Sequence, residues 1–219
     1  SKVDSARAQA EKLAGAGVHV FSGAFDSGQT TAIAQVAEQK KIPFVINIAA
    51  SDAITEQGFK YTFRSFPTST YISRGAYNLQ KEIFASTGKA PKKVVVLHVN
   101  DTFGTGQAAS VKALAPTSGM PYEIVDFIPY DLRSPDLSGE VAKAKATGAD
   151  GLWMISRLND AMIVTRELVK QRFNPIGIFS TGPGWYEDQY LKTMGKNGDF
   201  VTSFIPWFNP KKPVSQLLI

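Results

Sequence analysis

The sequence predicts an α/β fold in which parallel strands are covered by helices, and three observations carry that prediction. Segments with apolar residues at helical spacing alternate with short apolar runs. The links between them are short and hold glycine, proline or polar residues. One run, residues 92–99, is almost unbroken in its apolar character, as a parallel strand buried on both faces requires. Strand and helix alternating in this way build parallel sheets through right-handed crossovers.

The elements follow in order. Residues 3–14 carry Ala and Leu at helical spacing until Gly15 and Gly17 stop them, and 18–21 read as a strand. Helix over 30–39 precedes strand at 44–46, an extended piece at 61–66 and helix at 71–86. After the strand at 92–99 come helix over 105–114 and strand at 123–128. Ser134 is placed to cap a helix with Pro135 at its first position, running to Lys145 and ending at Gly148. Strand 151–155, helix 159–171, strand 176–180, helix 186–194 and strand 200–205 complete the alternation. Two extended segments before proline, Arg64-Ser65-Phe66-Pro67 and Phe204-Ile205-Pro206, suit struts that cross between lobes. In an open α/β sheet ligands gather beyond the carboxyl ends of strands. The loops to inspect are therefore 24–28, 49–52, 100–106, 156–160 and 181–185.

Composition removes several classes of function. The chain has 219 residues, 43% of them hydrophobic, which suits one large domain or two small ones. No run of eighteen apolar residues occurs, so no membrane span is expected. The formal charge of +5 is scattered in pairs, Lys40-Lys41, Lys92-Lys93 and Lys211-Lys212, which is no nucleic-acid footprint. Cysteine is absent, and the only histidines, His19 and His98, stand in apolar runs where core positions are expected. Neither a metal nor a cofactor is expected.

Within the loops the sequence becomes specific. Gly23-Ala24-Phe25-Asp26-Ser27 precedes a helix, and Lys41-Ile42-Pro43-Phe44-Val45 leads into Ala49-Ala50-Ser51. Phe63-Arg64-Ser65-Phe66-Pro67 and Asn100-Asp101-Thr102-Phe103-Gly104-Thr105-Gly106 follow, then Ala149-Asp150-Gly151-Leu152 entering a strand. In order and spacing this resembles the periplasmic branched-chain amino-acid binding family, the type I solute-binding subunits of ABC importers. The resemblance implies two Rossmann-like lobes with a ligand held between them and released by hinge opening. On that pattern residues 1–68 are a partial first lobe, 69–205 the second lobe and 206–219 a stub returning to the first. The opening strand of the first lobe has no counterpart here, so the intact protein is expected to be longer. The implied partners are a small organic carboxylate and a membrane permease, in a periplasmic or other extracytoplasmic setting, with no catalysis.

The resemblance also implies a site. The family holds the ligand carboxylate at the start of the helix after a first-lobe strand, which here is Ser27, Gly28 and Gln29. Unpaired N–H groups and the helix dipole favour an anion there, although Ser27 has the alternative of capping its own helix. Asp26 would repel an anion if it faced the pocket, so it is expected to cap the helix and point away. Ala49, Ala50 and Ser51 match the second carboxylate-holding stretch, with Ser51 alternatively a turn residue. Phe103 falls where relatives pack an aromatic over the ligand. Arg157 stands where amino-acid binders carry an aromatic, and its guanidinium suits a carboxylate; a salt bridge to Asp160 is the competing role. The stretch Thr181-Gly182-Pro183-Gly184-Trp185 lacks the acid that receives a ligand ammonium, which disfavours an α-amino acid. Phe25, Phe103, Trp185 and Tyr186 offer flat apolar walls, pointing to an aromatic or hydrophobic organic acid. A shift of a few positions would bring Glu187 or Asp188 into the missing acid's role.

Three other readings compete. An amino-acid or amide binder of the same family remains, as does the ligand-sensing domain of a regulator or receptor. A nucleotide-dependent enzyme has one foothold: Gly104-Thr105-Gly106-Gln107-Ala108-Ala109 with Asp126 beyond it. Against it, Asn100 to Phe103 separate the first glycine from its strand.

Overall fold

The structure, a computed structural model, describes residues 2–199 and 201–204. Its strands form two separate, wholly parallel sheets, one of three strands and one of five. The first lobe comprises α1 (Lys2–Gly15), β1 (Phe21–Ser22), α2 (Ser27–Lys40), β2 (Phe44–Ile46) and β3 (Thr62–Arg64), with strand order β1-β2-β3. Its core gathers Phe21, Val36, Phe44, Ile46 and Ile54, all buried.

The second lobe opens with α3 (Ser69–Thr87) and β4 (Lys93–Val99). There follow α4 (Thr102–Leu114), β5 (Glu123–Tyr130), α5 (Ser138–Ala146) and β6 (Gly151–Ile155). It closes with α6 (Leu158–Lys170), β7 (Gly177–Ser180), α7 (Asp188–Met194) and β8 (Val201–Ser203). The order β5-β4-β6-β7-β8 puts β6 at the centre, with β4 beside it at the switch in strand order. Successive side chains of a strand point to opposite faces. Val95, Leu97 and Val99 accordingly meet the core under α5, α6 and α7, whereas Val94 and Val96 meet Tyr77 of α3 and Val111 of α4. That double burial explains the unbroken apolar run.

Several boundaries differ from the sequence expectation, each for a local reason. The strand expected at 18–21 shrinks to β1, which pairs with β2 on one side only, and His19 is exposed rather than in a core. His98 is buried in β4, as expected. The helix expected from Pro135 starts at Ser138, because the Asp136 carboxylate accepts from the Ser138 N–H (2.8 Å) and turns the chain first. The helix expected from Tyr186 starts at Asp188, since 183–185 form a 3-10 turn. Helix α4 begins earlier than expected, at Thr102, capped by Asp101. The glycine-rich stretch read as a nucleotide fingerprint therefore lies inside a helix, and Asp126 sits within β5, ion-paired with Lys143 at 3.1 Å. At Gly104 a Cβ would stand 2.0 Å from the Val99 carbonyl oxygen, so glycine there serves close packing of helix on strand. The last expected strand is described over Val201–Ser203; Phe200, Ile205 and the second proposed crossing at Pro206 lie outside the described residues.

Candidate functional site

The carboxyl ends of both sheets face a common cavity of about 240 Å³. Every strand end but one supplies part of its wall. Phe25 follows β1, Ile48 and Ala50 follow β2, and Phe66 follows β3; Phe103 follows β4, Arg157 follows β6, and Phe204 follows β8. The segment after β7 contributes Thr181, Pro183, Tyr186 and Glu187, and Ile72 of α3 completes the lining. Aromatic and aliphatic groups dominate, as in most small-ligand sites, and among the described residues Arg157 is the one cation in the wall.

Arg157 takes its position from three helix starts. It is the N-cap residue of α6, where its backbone N–H donates to the Asp160 carboxylate (2.9 Å). Asp26 caps α2 by accepting from the Gln29 N–H (3.1 Å), and Asp101 caps α4 by accepting from the Gly104 N–H (2.8 Å). Each aspartate uses Oδ1 for its own helix and leaves Oδ2 for the arginine. Arg157 Nη2 donates to Asp26 Oδ2 at 2.8 Å, and Nη1 lies 2.7 Å from Asp101 Oδ2. The Nη1 contact is an ion pair whose angle falls outside a hydrogen bond, so Nη1 still lacks an acceptor. Below the guanidinium, 5.2 Å away, lies the Phe103 ring, a cation–π distance. Burial holds the Asp160 carboxyl above its ordinary range, opposed by the hydrogen bond from the Tyr130 hydroxyl and by Arg157.

The expected site residues separate into two groups. Phe25, Ala50, Phe103, Arg157 and Tyr186 line the cavity. Ser27, Gly28, Gln29, Ala49, Ser51, Gly182 and Trp185 are absent from its wall. Ser27 and Ser51 are buried and turned to each other, the Ser27 hydroxyl accepting from the Ser51 N–H at 3.4 Å. Gly28 faces Thr102, and Gln29 lines a separate groove against α1. Ala49 is buried in the first-lobe core. Gly182 packs on the Ser156 backbone, where a Cβ would come within 2.3 Å of its oxygen. Trp185 is buried in the second-lobe core and donates from Nε1 to the Ser156 hydroxyl (2.6 Å).

Two expectations about charge need correction. Asp26 caps its helix as expected but does not point away; its second oxygen reaches Arg157. Asp160 is not the side-chain partner of Arg157, since it accepts from the backbone N–H instead. The stretch 181–185 indeed holds no acid, yet Glu187 reaches the same wall, and desolvation raises its carboxyl pKa. Asp101, Ile48, Phe66, Ile72 and Phe204 were given no role by sequence, although Asp101 stood in a loop marked for inspection and Phe66 and Phe204 in the crossing segments. Arg64 was also overlooked. Its guanidinium donates to the carbonyls of Ala49 and Ser51, the latter at 2.7 Å, and so fixes the loop that presents Ala50.

A family model described as a periplasmic binding protein matches residues 1–217. The chain belongs to that family. Such a binding protein from Brucella abortus (strain 2308), Leu/Ile/Val-binding protein homolog 8, is 27% identical over 172 residues, covering 77% of this chain and 42% of the relative. The periplasmic binding protein described here thus spans under half the length of that relative. Among solved structures, a leucine binding protein from Thermotoga maritima matches all of the chain and 61% of its own, with a TM-score of 0.82 at 19% identity. A solute binding protein of an ABC transporter from R. palustris, in complex with 4-hydroxybenzoate, matches 80% of the chain and 46% of its own, with a TM-score of 0.68 at 20% identity. These likenesses establish the fold of this periplasmic binding protein as type I: two lobes of parallel sheet flanked by helices, of which the chain covers part. Among the described residues no helix is long and apolar enough to cross a membrane, and no cluster of His, Asp and Glu is suited to a metal.

Proposed function

We propose that the chain is the ligand-holding part of an extracytoplasmic solute-binding component of an ABC importer. It takes a small aromatic or hydrophobic carboxylate in the cavity between residues 1–68 and 69–205 and delivers it to a membrane permease, without catalysis. The observation that carries this reading is a wall of Phe25, Phe66, Phe103, Tyr186 and Phe204 beside the Arg157 guanidinium. A guanidinium has five N–H donors, more than the contacts of Arg157 with the two aspartates occupy. Flat rings provide apolar area for a flat ligand, and an R. palustris relative holds 4-hydroxybenzoate.

The throat does not attract anions strongly. Beside Arg157 stand Asp26 and Asp101, whose carboxylates outnumber its one guanidinium, offset by about half a positive charge at each of the three helix starts. A near-neutral throat selects a carboxylate through hydrogen-bond geometry, and the rings supply most of the affinity. One observation favours a second reading, an α-amino acid: Glu187 lines the wall and has the charge to receive an ammonium.

A thermal-shift screen on the full-length protein separates the two, because a bound ligand raises the melting temperature by linkage. Benzoate and 4-hydroxybenzoate should stabilise more than leucine. A larger shift with leucine, abolished by Glu187→Gln, would establish the second reading instead.

A further inference from the structure

Arg157 and Asp26 belong to different lobes, 131 positions apart in sequence, yet they share a bond across the cleft. Asp101 sits on Arg157's own lobe and Phe103 beneath it, so the guanidinium is held in place from one side before the other lobe arrives. The surroundings bring the lobes close. A Cβ at Gly28 of α2 would stand 3.2 Å from the Thr102 hydroxyl of α4, and a Cβ at Gly106 of α4 would stand 3.3 Å from the Ser51 hydroxyl. Small residues thus let the starts of the two helices abut, and Arg157 ties them. The side chains of Arg157 and Asp26 are 18% and 27% exposed, well above full burial but far from free solvent, so the pair resists screening more than a surface bridge does.

We propose that Asp26 and Arg157 form an interlobe latch that closes the cleft without ligand, with Asp101 and Phe103 as positioning residues that keep the guanidinium ready. Asp26 stands outside the cavity wall, so its contribution to affinity comes through the closed population. Apparent affinity scales with the fraction of protein already competent to bind. Losing the latch therefore weakens every ligand by one common factor, whatever its charge. This distinguishes the latch from the role of Arg157 in holding a carboxylate, which is specific to carboxylates, and the latch holds even if the ligand is an amino acid.

Spin labels can be placed in the full-length protein, any cysteine outside these 219 residues first replaced by serine, at Lys40→Cys on α2 and Lys192→Cys on α7, both exposed. Pulsed dipolar spectroscopy without ligand should give mainly the short, closed distance. Asp26→Asn and Asp26→Ser both retain a side chain suited to the N-cap, and each should lower the closed-to-open ratio about three- to tenfold, as a partly buried ion pair allows. Arg157→Gln should do the same, and Asp26→Asn/Arg157→Gln should open the cleft no further than either alone. In both Asp26 variants, binding of benzoate and of leucine should weaken by the same factor. Unchanged distances in both Asp26 variants, additive opening in the double variant, or stronger benzoate binding once the Asp26 charge is gone would each overturn the latch.

Discussion

Arg64 and Arg157 stand on opposite sides of the cleft and do opposite work. Arg64 donates to two backbone carbonyls of its own lobe, so its bonds persist whether the lobes are open or shut. Arg157 binds carboxylates, one in its own lobe and one across the cleft, so its full set of bonds exists only in the closed arrangement. Burial depresses the Arg64 pKa, with Asp52 opposing, which marks a desolvated cation compensated mainly by carbonyl dipoles. The same side chain can thus fix a loop or couple two bodies, and its acceptors decide which.

The largest test of that contrast is Arg64→Ala. It leaves the carbonyls of Ala49 and Ser51 without their donor and should lower stability by about 2–4 kcal/mol, as expected for charged hydrogen bonds lost from a partly buried site. Urea unfolding of the full-length protein should show a lower midpoint. Arg157→Gln, by comparison, should move the same midpoint less, because only its contact with Asp101 lies within a lobe and the other spans the cleft. Equal losses in the two variants would dissolve the distinction between them.

Phe103 supports the Arg157 side of the comparison. Phe103→Leu keeps apolar volume but removes the ring beneath the guanidinium and from the cavity wall. Titration calorimetry should then show binding of 4-hydroxybenzoate weakened about tenfold, the size expected for one aromatic face plus a cation–π contact. Retained affinity would shift the recognition to Phe25, Phe66 and Tyr186.

A third test uses pH on the rigid interior. His98 is buried in β4 with Nδ1 3.1 Å from the Val99 carbonyl oxygen, and desolvation lowers its pKa from the ordinary 6.5, opposed by that carbonyl and by Asp101. Between the lowered value and 6.5 the unfolded chain binds more protons than the folded one. Stability from this group is therefore complete above 6.5 and lost as the pH falls toward the folded value. The melting temperature should decline from pH 7 to pH 5, and His98→Gln should flatten that decline. An unchanged slope would show that other groups govern the acid side.

The fold was legible in sequence because its signals are local. The run 92–99 announced a doubly buried strand, and loops after strand ends announced where a ligand sits. Element ends were less legible where a single side chain decides them, as Asp136 does before α5 and Asp101 does before α4. The site divided in the same way. Phe103, Arg157 and Tyr186 could be marked from their loops, but the partner of Arg157 lies 131 residues upstream, and nothing in the local pattern of Asp26 says which way its second oxygen points. Trp185 read as a wall residue because it is aromatic in a glycine-rich loop; the Ser156 hydroxyl that captures its indole N–H belongs to another strand end.

The smallest expected effect separates closure from stability most cleanly. Gly106 lies within α4, where alanine is favoured over glycine by up to about 1 kcal/mol. Its missing Cβ faces the Ser51 hydroxyl at 3.3 Å, close enough that the opposing lobe must give way by a few tenths of an ångström. Gly106→Ala should therefore leave the melting temperature equal or higher while weakening ligand binding about two- to threefold, a shift of well under 1 kcal/mol in the closed state. The second lobe would be more rigid and the pair less able to meet. Tighter binding in Gly106→Ala would mean that the α2–α4 contact plays no part in closure, leaving the Arg157 bonds to join the lobes unaided.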